Sequence, residues 1–256
     1  FAASYDVAGE TWTAQLDGKR YPLHLPSVVR TPEKALIVAD TGCRDNKTQA
    51  CKDNSWFFHG TIPQDMAKLI ARDGKATFMM VIGDVRYRGG KAEGSGKKGQ
   101  AWKDWKADFF SPLIGETQGK KSNNSKHSKK NKEQPQQQAY NLLAMAPWVA
   151  VRGNHDEWSY GLSAENKDYL KELPLEWRTE IDGQSVFMCH GKPGNNLWGL
   201  YRDHISNTLL NMMLVSLGVD VLITGHTHVP LYVKVQRGCV VNPGSLYTFH
   251  NVRTSS

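Results

Sequence analysis

Short apolar runs recur along the chain, and several stop abruptly at a polar residue. Ala35 to Ala39, Thr77 to Ile82, Trp148 to Val151, Val186 to Cys189 and Val219 to Thr224 each read as a strand covered on both faces. Leu231 to Val235 and Cys239 to Val241 follow as two more, and Asn242-Pro243-Gly244-Ser245 reads as a turn. Between them lie stretches with helical spacing. Pro63 to Arg72 places Met66, Leu69 and Ile70 on one face, with Pro63 in the first turn and Gly74 just past the end. Ala101 to Phe110 carries Trp102, Trp105 and Phe109 as a core-facing stripe, order resumes at Tyr140 to Met145, and Leu200 to Leu217 is periodic through Ile205, Leu209, Leu210, Met213 and Leu217. Strands alternating with helices indicate an α/β fold.

The regular pattern starts at Lys34. Residues 1–33 are polar, hold Pro22, Pro26 and Pro32, and read as an N-terminal lead-in with short strands near Thr11 to Leu16 and Tyr21 to Leu25. One domain is expected over 34–256, interrupted by polar, low-complexity insertions at about 89–100 and 115–138. No run of about eighteen apolar residues is present, so no transmembrane segment is expected.

A chain of 256 residues with 39% hydrophobic content can bury a sizeable core. Its formal charge of +7 invites a nucleic-acid reading, but the excess is local. Six lysines against Glu116 and Glu133 within residues 115–139 account for +4 of it. That run lacks aromatic interleaving, which argues against a nucleic-acid partner and for a solvated loop.

Four cysteines fall into two settings. Cys43 and Cys51 lie in a polar loop that a disulfide could staple, whereas Cys189 and Cys239 sit in apolar runs and read as small buried hydrophobes. A loop disulfide points to an oxidising compartment, periplasmic or secreted, with a cytoplasmic location as the alternative. The Phe1-Ala2-Ala3-Ser4 start leaves open whether a signal peptide has been removed.

The chemistry lies at the strand ends. Five strands run out at Asp40, Asp84, Asn154, His190 and the pair His226 and His228. Taken singly, each suits an ordinary turn or a core histidine. In an open α/β sheet, however, the carboxyl ends of the strands line one crevice, so these side chains should converge. Imidazole and carboxylate donors suit zinc, iron and manganese. Six donors exceed one tetrahedral ion; two ions sharing Asp84, about 3.5 to 4 Å apart, would use them.

Gly83-Asp84, Gly153-Asn154-His155-Asp156, His190-Gly191 and Gly225-His226-Thr227-His228 resemble the signature of the calcineurin-like metallophosphoesterase superfamily over about residues 34–245. The resemblance implies a four-layer αββα sandwich of two mixed β-sheets flanked by helices. The usual Asp-x-His start departs here, because Gly42 stands where the histidine would be. Gly83-Asp84-Val85-Arg86-Tyr87 instead resembles the Gly-Asp-x-x-Tyr of purple acid phosphatases, although Phe187 replaces the valine that precedes the histidine of that pattern. Asp40-Thr41-Gly42-Cys43-Arg44 is also similar to the first motif of bacterial, often exported metallophosphoesterases.

This resemblance implies that Asp40, Asp84, Tyr87 and His228 hold a first metal and that Asp84, Asn154, His190 and His226 hold a second. A phenolate favours Fe(III) in the first site, with Fe(II), Zn(II) or Mn(II) in the second. The resemblance also implies that His155 faces the phosphoryl group, with Asp156 orienting its ring. The implied reaction is hydrolysis of a small phosphoester, monoester or diester, by metal-activated hydroxide. The alternative is a non-catalytic metal-binding scaffold, for which Gly42 is the best support. His24, His59, His127, His204 and His250 receive no role.

Overall fold

The computed structural model describes residues 33–42, 61–73, 77–85, 87, 106–115, 140–156, 168 and 170–245, together with three N-terminal strands. Those strands, β1 (Ala2–Asp6), β2 (Thr11–Leu16) and β3 (Lys19–Leu23), pair antiparallel in the order β1-β2-β3 as a sheet of their own. The loop with Cys43 and Cys51, most of both insertions, Trp102, Trp105, His24, His59, His127 and His250 lie outside the described residues.

Two sheets carry the remaining strands. The first contains β4 (Lys34–Val38), β5 (Thr77–Val81) and β6 (Trp148–Ala150), all parallel in that order. The second has the order β10-β11-β9-β8-β7. Its members are β7 (Glu176–Ile181), β8 (Gln184–Cys189), β9 (Val221–Ile223), β10 (Leu231–Lys234) and β11 (Cys239–Asn242). Here β8, β9 and β11 are parallel, and β7 and β10 are antiparallel at the two ends. Of the two mixed sheets expected, only the second is mixed in its described strands.

Alternation along the buried strands generates the layers. On β5, Met79 and Val81 face a cluster with Met66 and Ile70 of α1 (Thr61–Asp73) and Leu142 of α2 (Leu142–Met145). Met80 and Ile82 face the opposite way, into a cluster with Val186, Met188 and Ile223 from the second sheet. Phe78 stacks on Trp177 across the same interface, with ring centroids 5.6 Å apart. On β8, Phe187 and Cys189 point outward to Leu210 and Leu214 of α3 (Asn207–Leu217). The resulting order is helix, sheet, sheet, helix, with each strand core apolar on both sides. Removing one of these fully buried side chains, such as Met79→Ala, carries a penalty of about 2–5 kcal/mol from lost transfer energy and the cavity left behind.

Two expectations need correction, and one strand was not foreseen. Leu200 to Leu217 is not one helix: α3 starts after Ser206, whose extended backbone and side-chain oxygen, accepting from the Leu209 amide at 3.2 Å, cap it. Upstream, the chain makes only a single turn at Arg202–His204. Gly218, at φ 68°, ends α3 in the left-handed conformation. Within Ala101 to Phe110, the described part is a wide π-type turn at Lys106–Phe110 followed by a helical turn at Ser111–Leu113 with Pro112 in it. Phe109 is nevertheless core, its ring 6.4 Å from that of Trp148. Lastly, β7 was not anticipated. Its exposed Glu176, Arg178 and Glu180 alternate with half-buried Trp177, Thr179 and Ile181, as suits an edge strand. Asp182 and Gly183, at φ 50° and 71°, then turn it into β8.

Parallel register places the strand ends together. Val38, Val81 and Ala150 stand side by side, as do Met188, Ile223 and Val241. Asp40, Asp84 and Asn154 therefore leave one edge of the first sheet, and His190 and His226 the matching edge of the second.

Among the described residues no helix is long and apolar enough to cross a membrane. Cys189 and Cys239 are both free thiols; Cys189 is buried, as expected, and Cys239 half-buried.

Candidate metal centre

The tips of β4 and β5 are held by backbone bonds before any side chain contributes. The Asp40 amide donates to Gly83 O and the Gly42 amide to Asp84 O, both at 3.1 Å. β6 fits alongside only because two glycines meet. A Cβ on Gly83 would lie 2.5 Å from Gly153 N, and one on Gly153 would lie 2.2 Å from Asp84 Oδ1. Either substitution would drive the two tips apart.

Backbone strain concentrates here. Among the described residues five non-glycine positions have positive φ, and four of them are Asp40, Asp84, His226 and His228. Each such conformation costs on the order of 1 kcal/mol or more and persists because its surroundings over-determine it. Here it turns four donor side chains inward from the strand ends.

All seven expected ligands meet in two adjoining groups. In the first, the Tyr87 hydroxyl lies 2.9 Å from Asp40 Oδ1, 3.0 Å from Asp84 Oδ2 and 2.9 Å from His228 Nε2, while His228 Nε2 is 3.2 Å from Asp40 Oδ1. In the second, His190 Nε2 is 3.2 Å from both Asp84 Oδ2 and Asn154 Oδ1. His226 Nδ1 is 3.0 Å from Asn154 Oδ1 and 3.3 Å from His190 Nε2. Asp84 belongs to both. The carboxylate and imidazole donors of Asp84, His190 and His226, and those of Asp40, Asp84 and His228, each lie within 4.8 Å of one another.

The Tyr87 hydroxyl has one proton for two carboxylate oxygens, and its third neighbour, His228 Nε2, donates or accepts according to its tautomer. His190 Nδ1 lies 2.7 Å from Ile82 O, a carbonyl that can only accept, so that nitrogen carries the proton. In the neutral ring Nε2 would then keep its lone pair toward the group, the arrangement by which a backbone carbonyl orients a metal-ligating histidine. The donor set of carboxylate, imidazole, amide oxygen and phenol oxygen accordingly suits zinc, iron or manganese.

Electrostatics follow from this crowding. Burial works to raise Asp84, but the positive charge and hydrogen bond of His190, with His155 behind them, hold it below the usual carboxylate value. Burial would lower His190; the Asp84 carboxylate outweighs it and brings the ring to about 9. His226 is lowered by burial and by the charge of His190. The Tyr87 phenol is raised by burial and then by Asp84 and Asp40, so its ionisation needs positive charge at those same oxygens.

His155 and Asp156 separate in role. The His155 amide donates to Asp84 Oδ1 at 2.8 Å, and its half-buried ring lies against Tyr87 with centroids 4.6 Å apart. Asp156 does not orient that ring. It is 3% exposed, and its two oxygens accept from the amides of Asp84 (2.9 Å), Val85 (3.1 Å) and Gly153 (2.9 Å). It fastens the β5 tip to the β6 tip, although burial and the charge of Asp84 raise its carboxyl to about 7 against those amides.

Two bracing residues escaped the sequence reading. Asn242, 2% exposed, donates to Gly225 O at 2.7 Å and to Thr227 Oγ1 at 3.1 Å, supporting the turn that carries His226 and His228. Ser245 Oγ donates to Asp40 O at 2.9 Å. Their sequence signal was the Asn-Pro-Gly-Ser turn itself, placed directly after a buried strand of the same edge. His204 lies on the surface against Tyr201, with centroids 5.8 Å apart.

Among solved structures, the chain is similar to a hypothetical protein from Pyrococcus horikoshii OT3, with 14% identity and a TM-score of 0.48 over 82% of this chain and 75% of that one. A metallophosphoesterase from Sphaerobacter thermophilus gives 18% identity and a TM-score of 0.43 over 83% and 76%. Zinc-complexed Vps29 from Entamoeba histolytica gives 16% identity and 0.39 over 82% and 73%. No curated protein matches the chain. Residues 133–255, the part carrying Asn154, His155, Asp156, His190, His226 and His228, match the model of the calcineurin-like phosphoesterase superfamily domain.

Proposed function

We propose that the protein hydrolyses phosphoric esters at a binuclear metal centre. The observation that carries this reading is the sharing of Asp84 between two donor groups, Asp40, Tyr87 and His228 on one side and Asn154, His190 and His226 on the other. The match of residues 133–255 to a phosphoesterase family model supports the reaction class.

Cations held by these residues would neutralise phosphate oxygens and lower the pKa of bound water toward neutrality. The remaining tasks fall to the chain. Asp84 joins the two groups, and its position is set by amide bonds from its own nitrogen to Asp156 and from His155 to its Oδ1. His190 presents Nε2 because Ile82 O holds Nδ1. His155, half-buried against Tyr87, would protonate the departing alkoxide, a contribution typically worth about a hundred- to ten-thousand-fold. Tyr87 takes the place that Gly42 leaves, which favours Fe(III) in the first site and a divalent ion in the second.

The test is release of phosphate or phenol from aryl mono- and diesters by the purified chain replenished with iron, zinc or manganese. Activity should vanish in Asn154→Ala and His226→Ala. A wild-type protein that retains metal and turns over no ester would instead establish a metal-binding scaffold.

A further inference from the structure

Apolar surface gathers beside the candidate centre. Nine large apolar side chains are exposed among the described residues, and five of them, Leu197, Trp198, Tyr201, Val229 and Tyr232, lie on the segments that follow His190 and His228. Exposed apolar groups concentrated at one site mark a binding surface more often than scattered ones do.

The segment from Gly191 to Tyr201 is fixed at several points. Lys192 and Asn195 exchange backbone bonds of 3.0 and 2.9 Å, Asn195 Oδ1 accepts from Leu197 N at 2.8 Å, and Glu176 accepts from Gly194 N at 2.6 Å. The chain folds back over Gly191 so closely that a Cβ there would meet Asn195 O at 2.5 Å and Trp198 O at 2.7 Å. It then passes against one candidate ligand, His226, at the Cδ2 edge of its ring. A Cβ on Gly199 would lie 2.5 Å from Thr227 Cγ2, 3.0 Å from His226 Cδ2 and 3.4 Å from Tyr201 Cε2. The Tyr201 ring thus reaches the glycine that rests on the His226 imidazole, and the His204 ring lies beyond it at 5.8 Å. Trp198, the residue before Gly199, is 65% exposed and Tyr201 44%. A pinned loop that holds two rings in water has already lost the ordering entropy that a flexible one would lose on binding.

We propose that Trp198 and Tyr201 form the wall that receives an aromatic leaving group of the phosphoester, next to the second donor group. This rests on the phosphoester reading and adds a substrate class to it: esters of phenols or of alcohols carrying a flat ring. Stacking on aromatic side chains tolerates varied rings and contributes about ten- to a hundredfold per ring.

The test is calorimetric binding of phosphonates, which cannot be hydrolysed, to the full chain loaded with manganese. Phenylphosphonate should bind about tenfold more tightly than methylphosphonate, and more tightly than hexylphosphonate. The Trp198→Ala, Tyr201→Ala double variant should lose most of that preference while keeping its affinity for methylphosphonate and its melting temperature. Equal affinities in the wild type, a hexyl group as good as phenyl, or a preference that survives both substitutions would overturn the aromatic wall and leave the phosphoester reading intact. Failure of every phosphonate and of inorganic phosphate to bind the loaded protein would overturn both.

Discussion

The Tyr87 hydroxyl lies 3.0 Å from Asp84 Oδ2, three residues back along the chain, and the same oxygen reaches Asp40 and His228 at 2.9 Å. Two carboxylates against one phenol would ordinarily keep the phenol protonated, and both raise it further above its usual value. A trivalent cation among these oxygens would reverse that balance. The iron-loaded protein is therefore expected to show a visible tyrosinate-to-iron charge-transfer band that is absent in Tyr87→Phe. A colourless, fully active zinc or manganese protein would remove the ferric assignment without touching the proposed ester hydrolysis.

The second donor group can be separated from the first because Asn154 Oδ1 contacts only His190 and His226 among the candidate ligands. Asn154→Ala should reduce bound metal from two ions toward one per chain while Tyr87 keeps its spectral signature. Elemental analysis after dialysis gives the stoichiometry. Loss of both ions together would show that the groups do not load independently.

The layers were legible from the sequence because burial on both faces writes a continuous apolar run, as at Met79 to Ile82. β7 was not, since Glu176, Arg178 and Glu180 give an edge strand the look of a polar loop. Nor was the start of α3, where apolar spacing continued past the cap at Ser206. The donors were legible by residue type at strand ends, and the structure brings them together. What their neighbours do was not. Asp156 acts on the amides of Asp84 and Val85, more than seventy positions back, and Asn242 on the Gly225 turn; such pairings depend on register between strands, which no local motif records.

Asp220 ties β9 to β8 and supplies a pH dependence independent of the metal ligands. Its Oδ2 accepts from Ser185 Oγ at 2.7 Å and Ser185 N at 3.0 Å, with Arg237 3.2 Å from Oδ1, and these bonds hold its carboxyl below the usual value. A depressed folded-state pKa adds stability above the unfolded value near 3.8, and that stability is lost as pH falls through the depressed value. The melting temperature of Asp220→Asn should therefore lie below wild type at pH 7, with the gap closing from about pH 4 downward. A gap independent of pH would show that the amide, not the missing charge, sets it.

Asp156 and His155 are adjacent in sequence, yet their substitutions should fail in different ways. Asp156 is buried, and its oxygens receive three backbone amides from two strand tips. Asp156→Asn keeps the shape but turns an NH2 group toward at least one of those donors, which leaves buried polar groups facing each other at about 1–3 kcal/mol each. For a chain of this size each kcal/mol corresponds to about 2–4 °C, so the melting temperature should drop by several degrees, with metal loss following from the shifted Asp84. His155→Ala removes a half-buried ring whose amide still donates to Asp84, so stability and metal content should stay near wild type. Its kcat should fall by about a hundredfold or more, most steeply on esters whose leaving groups need a proton. A phenol with a low pKa needs none. The ratio of rates on activated and unactivated esters thus reports the acid directly, and an unchanged ratio in His155→Ala would assign that proton to another group.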